Sequence, residues 1–201
     1  MFAFIKGKLD SKNINFVIVE AGGIGYRIFM PTSAIERLPE IGAEIKIHTY
    51  YYVREDNISL YGFNTLEELR MFELLLSVSG IGAKSAIVVV SEMTPSKFAL
   101  DVISEDVSSL VKVPGIGKKT AQRVILELKD KMKTESAIAG DVSEKIVKKA
   151  ISDDNVMQEA MAALLVLGYQ RKEIENVLTK INEQGLGVED LIKRALVILS
   201  R

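Results

Sequence analysis

Two glycine turns carry the residues of this chain whose types and spacing suit binding chemistry. The phrase Val78-Ser79-Gly80-Ile81-Gly82-Ala83-Lys84-Ser85-Ala86 recurs as Val113-Pro114-Gly115-Ile116-Gly117-Lys118-Lys119-Thr120-Ala121. In each copy Gly-Ile-Gly stands between two apolar, helix-patterned runs, with a lysine just beyond it. Glycine permits the tight turn and lets a ligand approach the backbone closely. The helix that follows offers unpaired N–H groups and the positive end of its dipole, which together suit a phosphate. Gly80, Gly82 and Lys84 in the first copy, and Gly115, Gly117, Lys118, Lys119 and Arg123 in the second, are therefore candidates for gripping a nucleic-acid backbone at two points. Contacts of this kind position a protein without reading bases.

The same spacing speaks against nucleotide chemistry at these loops. A Walker A loop needs a glycine where Lys112 stands, and a dinucleotide fingerprint needs a third glycine where Ser85 and Thr120 stand. The pattern matches a helix-hairpin-helix, in which turn amides hold consecutive phosphates of one strand. Two alternatives stay open on the residues alone. One is a structure-specific nuclease built on such hairpins; the other is a protein scaffold whose glycines are simple helix caps.

A second constellation is Val53-Arg54-Glu55-Asp56-Asn57, at a turn between two strand-like runs. Acidic residues at a hairpin tip are ordinarily just solvated. In a nucleic-acid binder, Glu55 and Asp56 would repel phosphates and keep duplex away from the centre of the site. No further carboxylate cluster completes a two-metal site around them. The chain has no cysteine and one histidine, His48, so thiolate or histidine-rich metal sites are excluded and no metal or cofactor is expected.

Three segments must position these residues. Residues 1–64 read as five β-rich runs, Phe2–Leu9, Ile14–Glu20, Gly25–Met30, Glu44–Val53 and Asn57–Phe63. A short helix over Thr32–Leu38 follows the third run, with Ser33 and Glu36 in capping-box spacing. That order predicts a small closed barrel of the OB type. Residues 65–134 read as helices, with Pro95 marking one start and Pro114 preceding the second turn. Residues 135–154 read as a linker, flexible at least in part, and residues 155–201 as three amphipathic helices parted by Gly168-Tyr169 and Gly185-Leu186-Gly187. The fold class is thus α+β and multidomain: an OB-type barrel, a tandem helix-hairpin-helix domain, and a small three-helix bundle of the ubiquitin-associated kind. The bundle encloses little core, so apolar side chains around Leu167, Tyr169 and Leu196 are candidates for a partner surface.

Composition sets the remaining bounds. Apolar residues make up 48% of the chain, which suggests some burial between subunits. No export signal or membrane span is visible, so a cytoplasmic protein is expected. The formal net charge is −1, and no segment departs far from neutrality. Phosphate binding must therefore come from local clusters and helix ends rather than from a broad basic field.

Four motifs, taken in order and spacing, resemble the RuvA family of bacterial Holliday-junction-binding proteins over the whole chain. They are Val53-Arg54-Glu55-Asp56 with Leu60-Tyr61-Gly62-Phe63, Gly80-Ile81-Gly82-Ala83-Lys84, Val113 to Ala121, and Ala163-Leu164 to Leu167-Gly168-Tyr169. The family commonly has Gly-Pro-Lys after the first hairpin, where this chain has Gly82-Ala83-Lys84; alanine is compatible with a helix start. The resemblance implies a non-catalytic homotetramer that holds a four-way junction open and flat in recombination and DNA repair, singly or as two tetramers. It implies that the hairpins hold the arms by their minor-groove backbones, and that Glu55 and Asp56 form a central acidic pin. It further implies that residues 155–201 bind the hexameric ATPase RuvB, and that the resolvase RuvC acts on the same assembly.

Overall fold

Alternating apolar and polar residues drive the first third of the chain into five strands. They are β1 (Phe4–Lys12), β2 (Phe16–Ala21), β3 (Ile24–Phe29), β4 (Glu44–Val53) and β5 (Ile58–Phe63), with α1 (Thr32–Glu36) between β3 and β4. The structure is a computed structural model, and it describes residues 2–55, 57–138, 156–181 and 186–199. The strands close into a barrel in the order β1-β2-β3-β5-β4, with β4 returning to β1 and β3 meeting β5 in parallel. Leu9, Val17, Val19, Ile28 and Ile47 fill its interior. Gly62 is forced by this packing, because a Cβ there would lie 2.4 Å from the Ile28 methyl and 2.6 Å from the Ile47 methyl. The Gly22-Gly23 turn between β2 and β3 has both residues at positive φ, and Glu20 accepts from the Gly23 amide at 2.6 Å.

The capping box expected at Ser33 and Glu36 does not form. Pro31 occupies the cap position of α1, and no side chain caps the helix. Its fixed φ already starts the turn, and the Ser33 amide instead donates to the Ser91 hydroxyl of a later helix at 3.3 Å.

The helical part contains α2 (Leu66–Leu76), α3 (Ala83–Glu92), α4 (Pro95–Ile103), α5 (Val107–Val111) and α6 (Lys118–Ile138). Three caps define their starts. The Thr65 hydroxyl accepts from the Glu68 amide, Thr94 does the same for Lys97 ahead of Pro95, and Asp106 accepts from Ser109. Hydrogen bonds from the Ser108 hydroxyl and the Ser109 amide hold the Asp106 carboxyl below its usual range. The expected linker falls largely on residues 139–155, which lie outside the described residues. Then come α7 (Val156–Val166), α8 (Arg171–Leu178) and α9 (Val188–Leu199).

Two cores result. One fills the barrel; the other runs without a break through α2 to α6 and on through α7 to α9. Helix α7 packs along α4, and α9 also reaches α4. Barrel and helices meet at an aromatic cluster, in which Phe72 lies 4.9 Å from Phe63, 5.2 Å from Tyr61 and 5.5 Å from Tyr50. Gly62→Ala is expected to destabilise the barrel by about 2 kcal/mol through overpacking, measured as a lowered urea midpoint. An unchanged midpoint would mean that Ile28 and Ile47 move aside freely.

Candidate nucleic-acid interface

The two glycine turns adopt the same backbone structure. In the first, the Val78 amide donates to Leu75, Ile81 to Val78 and Ala86 to Gly82, at 3.1, 3.1 and 2.9 Å. In the second, Val113 donates to Leu110, Ile116 to Val113 and Ala121 to Gly117, at 3.1, 3.0 and 2.9 Å. Gly80 and Gly115 carry the left-handed bend, with φ of 88° and 81°. Val78 and Ile81, like Val113 and Ile116, point their side chains into the core and anchor each turn from below. The outer face of the turn is therefore left as backbone.

That outer face is open. A Cβ added at Gly82, Gly115 or Gly117 would meet nothing within 4 Å. Among the described residues no packing requires these three glycines; Gly115 also carries the left-handed bend, and a ligand lying on the backbone would account for Gly82 and Gly117. Gly82 is the N-cap of α3 and supplies no side-chain hydrogen bond, so the first-turn amides of α3 point outward without a capping partner. Lys84, Lys118 and Lys119 are exposed beside the turns and form no ion pair with any described residue.

Arg123 has a second task. Its Nη1 donates to the Ser79 carbonyl at 3.2 Å, while the Ser79 amide donates to Glu127 Oε2 at 3.0 Å. Arg123 and Glu127 stand one turn apart on α6, which begins at the second hairpin. They hold both backbone groups of a residue in the first hairpin, so the two turns keep a fixed separation. Sequence reasoning marks Arg123 as a cation but misses Glu127, because a contact spanning 48 residues leaves no local pattern.

The acidic turn sits at the end of β4 and β5. Arg54 donates its amide to the Asn57 carbonyl at 2.8 Å, which closes the turn. Glu55 is exposed at its tip; Asp56 lies outside the described residues. The Arg54 side chain turns back to Tyr52, with Nε 2.9 Å from the hydroxyl and the guanidinium over the ring. Val53 and Ile58, paired across the hairpin, are 54% and 63% exposed, so the tip stands clear of the barrel wall.

The third-unit candidates lie elsewhere than expected. Leu167, Tyr169 and Leu196 are 1%, 5% and 6% exposed, packed into the shared helical core. As placed, they offer no surface to a partner. The exposed apolar side chains of this unit include Met157 and Ile198.

A five-stranded barrel, a tandem helix-hairpin-helix and a three-helix unit in this order define a class of multidomain helix-hairpin-helix proteins. Comparison with known proteins narrows it. Residues 1–62 match the family model described as RuvA N terminal domain. Residues 72–130 match the SAM-like helix-hairpin-helix tandem, and residues 155–200 match the RuvA C-terminal domain. The Holliday junction branch migration complex subunit RuvA of Acetivibrio thermocellus is 51% identical over 201 residues, covering 100% of both chains. The protein of the same name from Ruminiclostridium cellulolyticum is 50% identical over 98% of each chain, and that of Vibrio cholerae 39% over 98%. The chain belongs to the RuvA family.

Glu127→Ala removes the acceptor of the Ser79 amide. That amide is expected to exchange with solvent about tenfold faster, with the barrel amides unaffected. An unchanged rate at Ser79 would show that something else holds the first turn.

Proposed function

We propose that this chain is the non-catalytic, DNA-binding subunit of a branch migration complex. In this reading it recognises Holliday junctions, holds them open and flat, and positions an ATP-driven motor on their arms. The observation that carries the reading is the pair of matching turns with open, glycine-floored faces, locked together across Ser79 by Arg123 and Glu127. Two rigid amide cradles at fixed spacing suit a backbone of regular geometry and carry no means of reading bases. The names of the full-length relatives support the same assignment.

The assembly we propose is a homotetramer around a fourfold axis, one or two to a junction. Four copies multiply a weak local attraction: each chain adds two turns and the cations Lys84, Lys118, Lys119 and Arg123. Four hairpin tips carrying Glu55 and Asp56 gather at the centre. There they repel the phosphates of any duplex laid across the middle, but leave room for strands that part at a crossover. A net charge of −1 gives little long-range pull on linear DNA, so geometry decides the choice. Residues 155–201 would bind the hexameric motor RuvB, which hydrolyses the ATP, through exposed apolar side chains such as Met157 and Ile198. The resolvase RuvC would act on the same complex. Such an assembly works in the cytoplasm, and no helix among the described residues is long and apolar enough to cross a membrane.

A gel-shift with a synthetic four-way junction beside a duplex of equal length tests the reading. Strong preference for the junction is expected; equal binding to both, or none to either, would overturn it. Lys119→Ala and Lys84→Ala are each expected to weaken the binding of all junction sequences alike. Each lost phosphate contact is expected to lower the slope of log affinity against log salt by about 1. A loss that depended on base sequence would argue for base readout. Glu55→Gln combined with Asp56→Asn is expected to raise duplex binding relative to junction binding; an unchanged ratio would remove the pin from the account.

A further inference from the structure

Glu105 breaks a local rule of this chain. It lies between α4 and α5 with φ of 58°, the one non-glycine residue at positive φ among the described residues. That left-handed conformation is unfavourable for a residue with a Cβ. The helix ending it belongs to is of the glycine kind. At the end of α4 the Glu105 amide donates to the Val102 carbonyl at 3.4 Å and the Asp106 amide to the Asp101 carbonyl at 2.9 Å. At the end of α7 the Gly168 amide donates to Leu165 and the Tyr169 amide to Leu164, at 2.9 and 3.2 Å, with φ of 79° at the glycine. The pattern is the same, but a glutamate stands at α4 where glycine stands at α7. What the glutamate adds is a side chain, and that side chain pairs with Lys129 of α6. Glu105 is 65% exposed, and a pair this near solvent contributes little to stability. Backbone strain kept without a gain in stability points to function.

The position of the pair says which function. Helix α5 is five residues long and runs directly into the second glycine turn. Helix α6 leaves that turn with Lys118 and Lys119 at its start. Asp106 caps α5 next to Glu105, and the Val107 amide donates to the Glu105 carbonyl at 2.8 Å, so the conformation of Glu105 sets where α5 begins. Leu110 and Val113 share an apolar core with Val124 and Leu128 of α6. Such packing is non-directional and does not hold two helices at one angle. Lys129 is only 16% exposed, so its ammonium is a fixed point for the glutamate to meet. It stands two positions past Glu127, on a different face of α6 from the one that grips Ser79.

We propose that Glu105 is a positioning residue of the nucleic-acid interface: through Lys129 it fixes the angle between α5 and α6, and with it the placement of the second glycine turn. The DNA part rests on the function proposed above. Glu105 lies at the end of α5 remote from the turn, so its effect passes through the helix and not through a phosphate, which a carboxylate would repel.

Glu105→Gly in the full-length chain separates positioning from the other effects of this residue. It relieves the backbone and removes a negative charge, so stability and electrostatics both favour equal or tighter DNA binding. Only loss of the pair opposes it. The expected result is a thermal midpoint unchanged or raised by about 2 °C, with affinity for a synthetic four-way junction about fivefold lower. Glu105→Gln, which keeps the strain and removes the charge, is expected to lose affinity to the same degree. Glu105→Lys combined with Lys129→Glu has the parent's net charge and is expected to recover affinity to within about twofold. Unchanged or tighter binding by Glu105→Gly, or no recovery in the exchanged pair, would overturn the positioning role. Hydrogen exchange without DNA reads the same role independently. The Ile116 amide of the second turn is expected to exchange about fivefold faster in Glu105→Gly, and the matching Ile81 amide of the first turn at the parent rate. An unchanged rate at Ile116 would overturn the positioning role. A parent that binds no junction while Ile116 responds would overturn the proposed function and leave the positioning of the turn standing.

Discussion

A protein that selects DNA by shape has to keep its contacts at fixed separations, and here that constraint converges on Glu68. Its side chain is buried at the junction of barrel and helices. One carboxylate oxygen binds Arg37, at the end of α1, and the other accepts from the Asn64 amide at 3.0 Å. Its own amide is capped by Thr65, so the same residue starts α2. Asn64 in turn donates its side-chain amide to the Ala34 carbonyl at 2.9 Å. A buried carboxylate is tolerable only when fully partnered, and its partners here come from both domains. The barrel, with its acidic tip, and the hairpin domain, with its glycine turns, are thereby one body. The aromatic cluster around Phe72 fills the same seam with packing that disfavours rotation.

Charge then acts only at close range. Around physiological salt the Debye length is about 8 Å, and a chain of near-zero net charge casts no wider field. In the function proposed above, attraction comes from the turn amides and the lysines beside them. In that same function, repulsion comes from the hairpin tip, where Glu55 is exposed. In the proposed function, separating the two signs onto elements joined at the Glu68 seam is what turns weak electrostatics into discrimination between DNA shapes.

The parts of this architecture that were legible in the sequence are those encoded locally. Alternation revealed the five strands, and the repeated Gly-Ile-Gly revealed both hairpins, because turn geometry restricts residue choice at the turn itself. The acidic tip was visible for the same reason. What was not legible depended on contacts between distant segments. Glu127 looks like an ordinary helix-face charge until Ser79 is placed beside it. Ser33 reads as a cap, but Pro31 pre-empts the position and Ser91 takes its amide. Leu167, Tyr169 and Leu196 look like spare apolar surface on a small bundle, and only the packing of α7 on α4 shows where that surface goes. The buried carboxylates Glu67 and Glu68 carry no warning at all, since glutamates in the first turn of a helix are ordinarily exposed.

The central claim is that two locked backbone cradles per chain, arranged around an acidic centre, hold a branched DNA by its phosphates. Hydroxyl-radical footprinting of the chain on a four-way junction tests it most directly. The account predicts two protected backbone patches on each of the four arms, related by the symmetry of the junction, at positions that do not move when the arm sequences are exchanged. The crossover itself should stay reactive, because the acidic tips hold phosphates away from it. Protection centred on the crossover, or patches that follow the sequence from arm to arm, would contradict it.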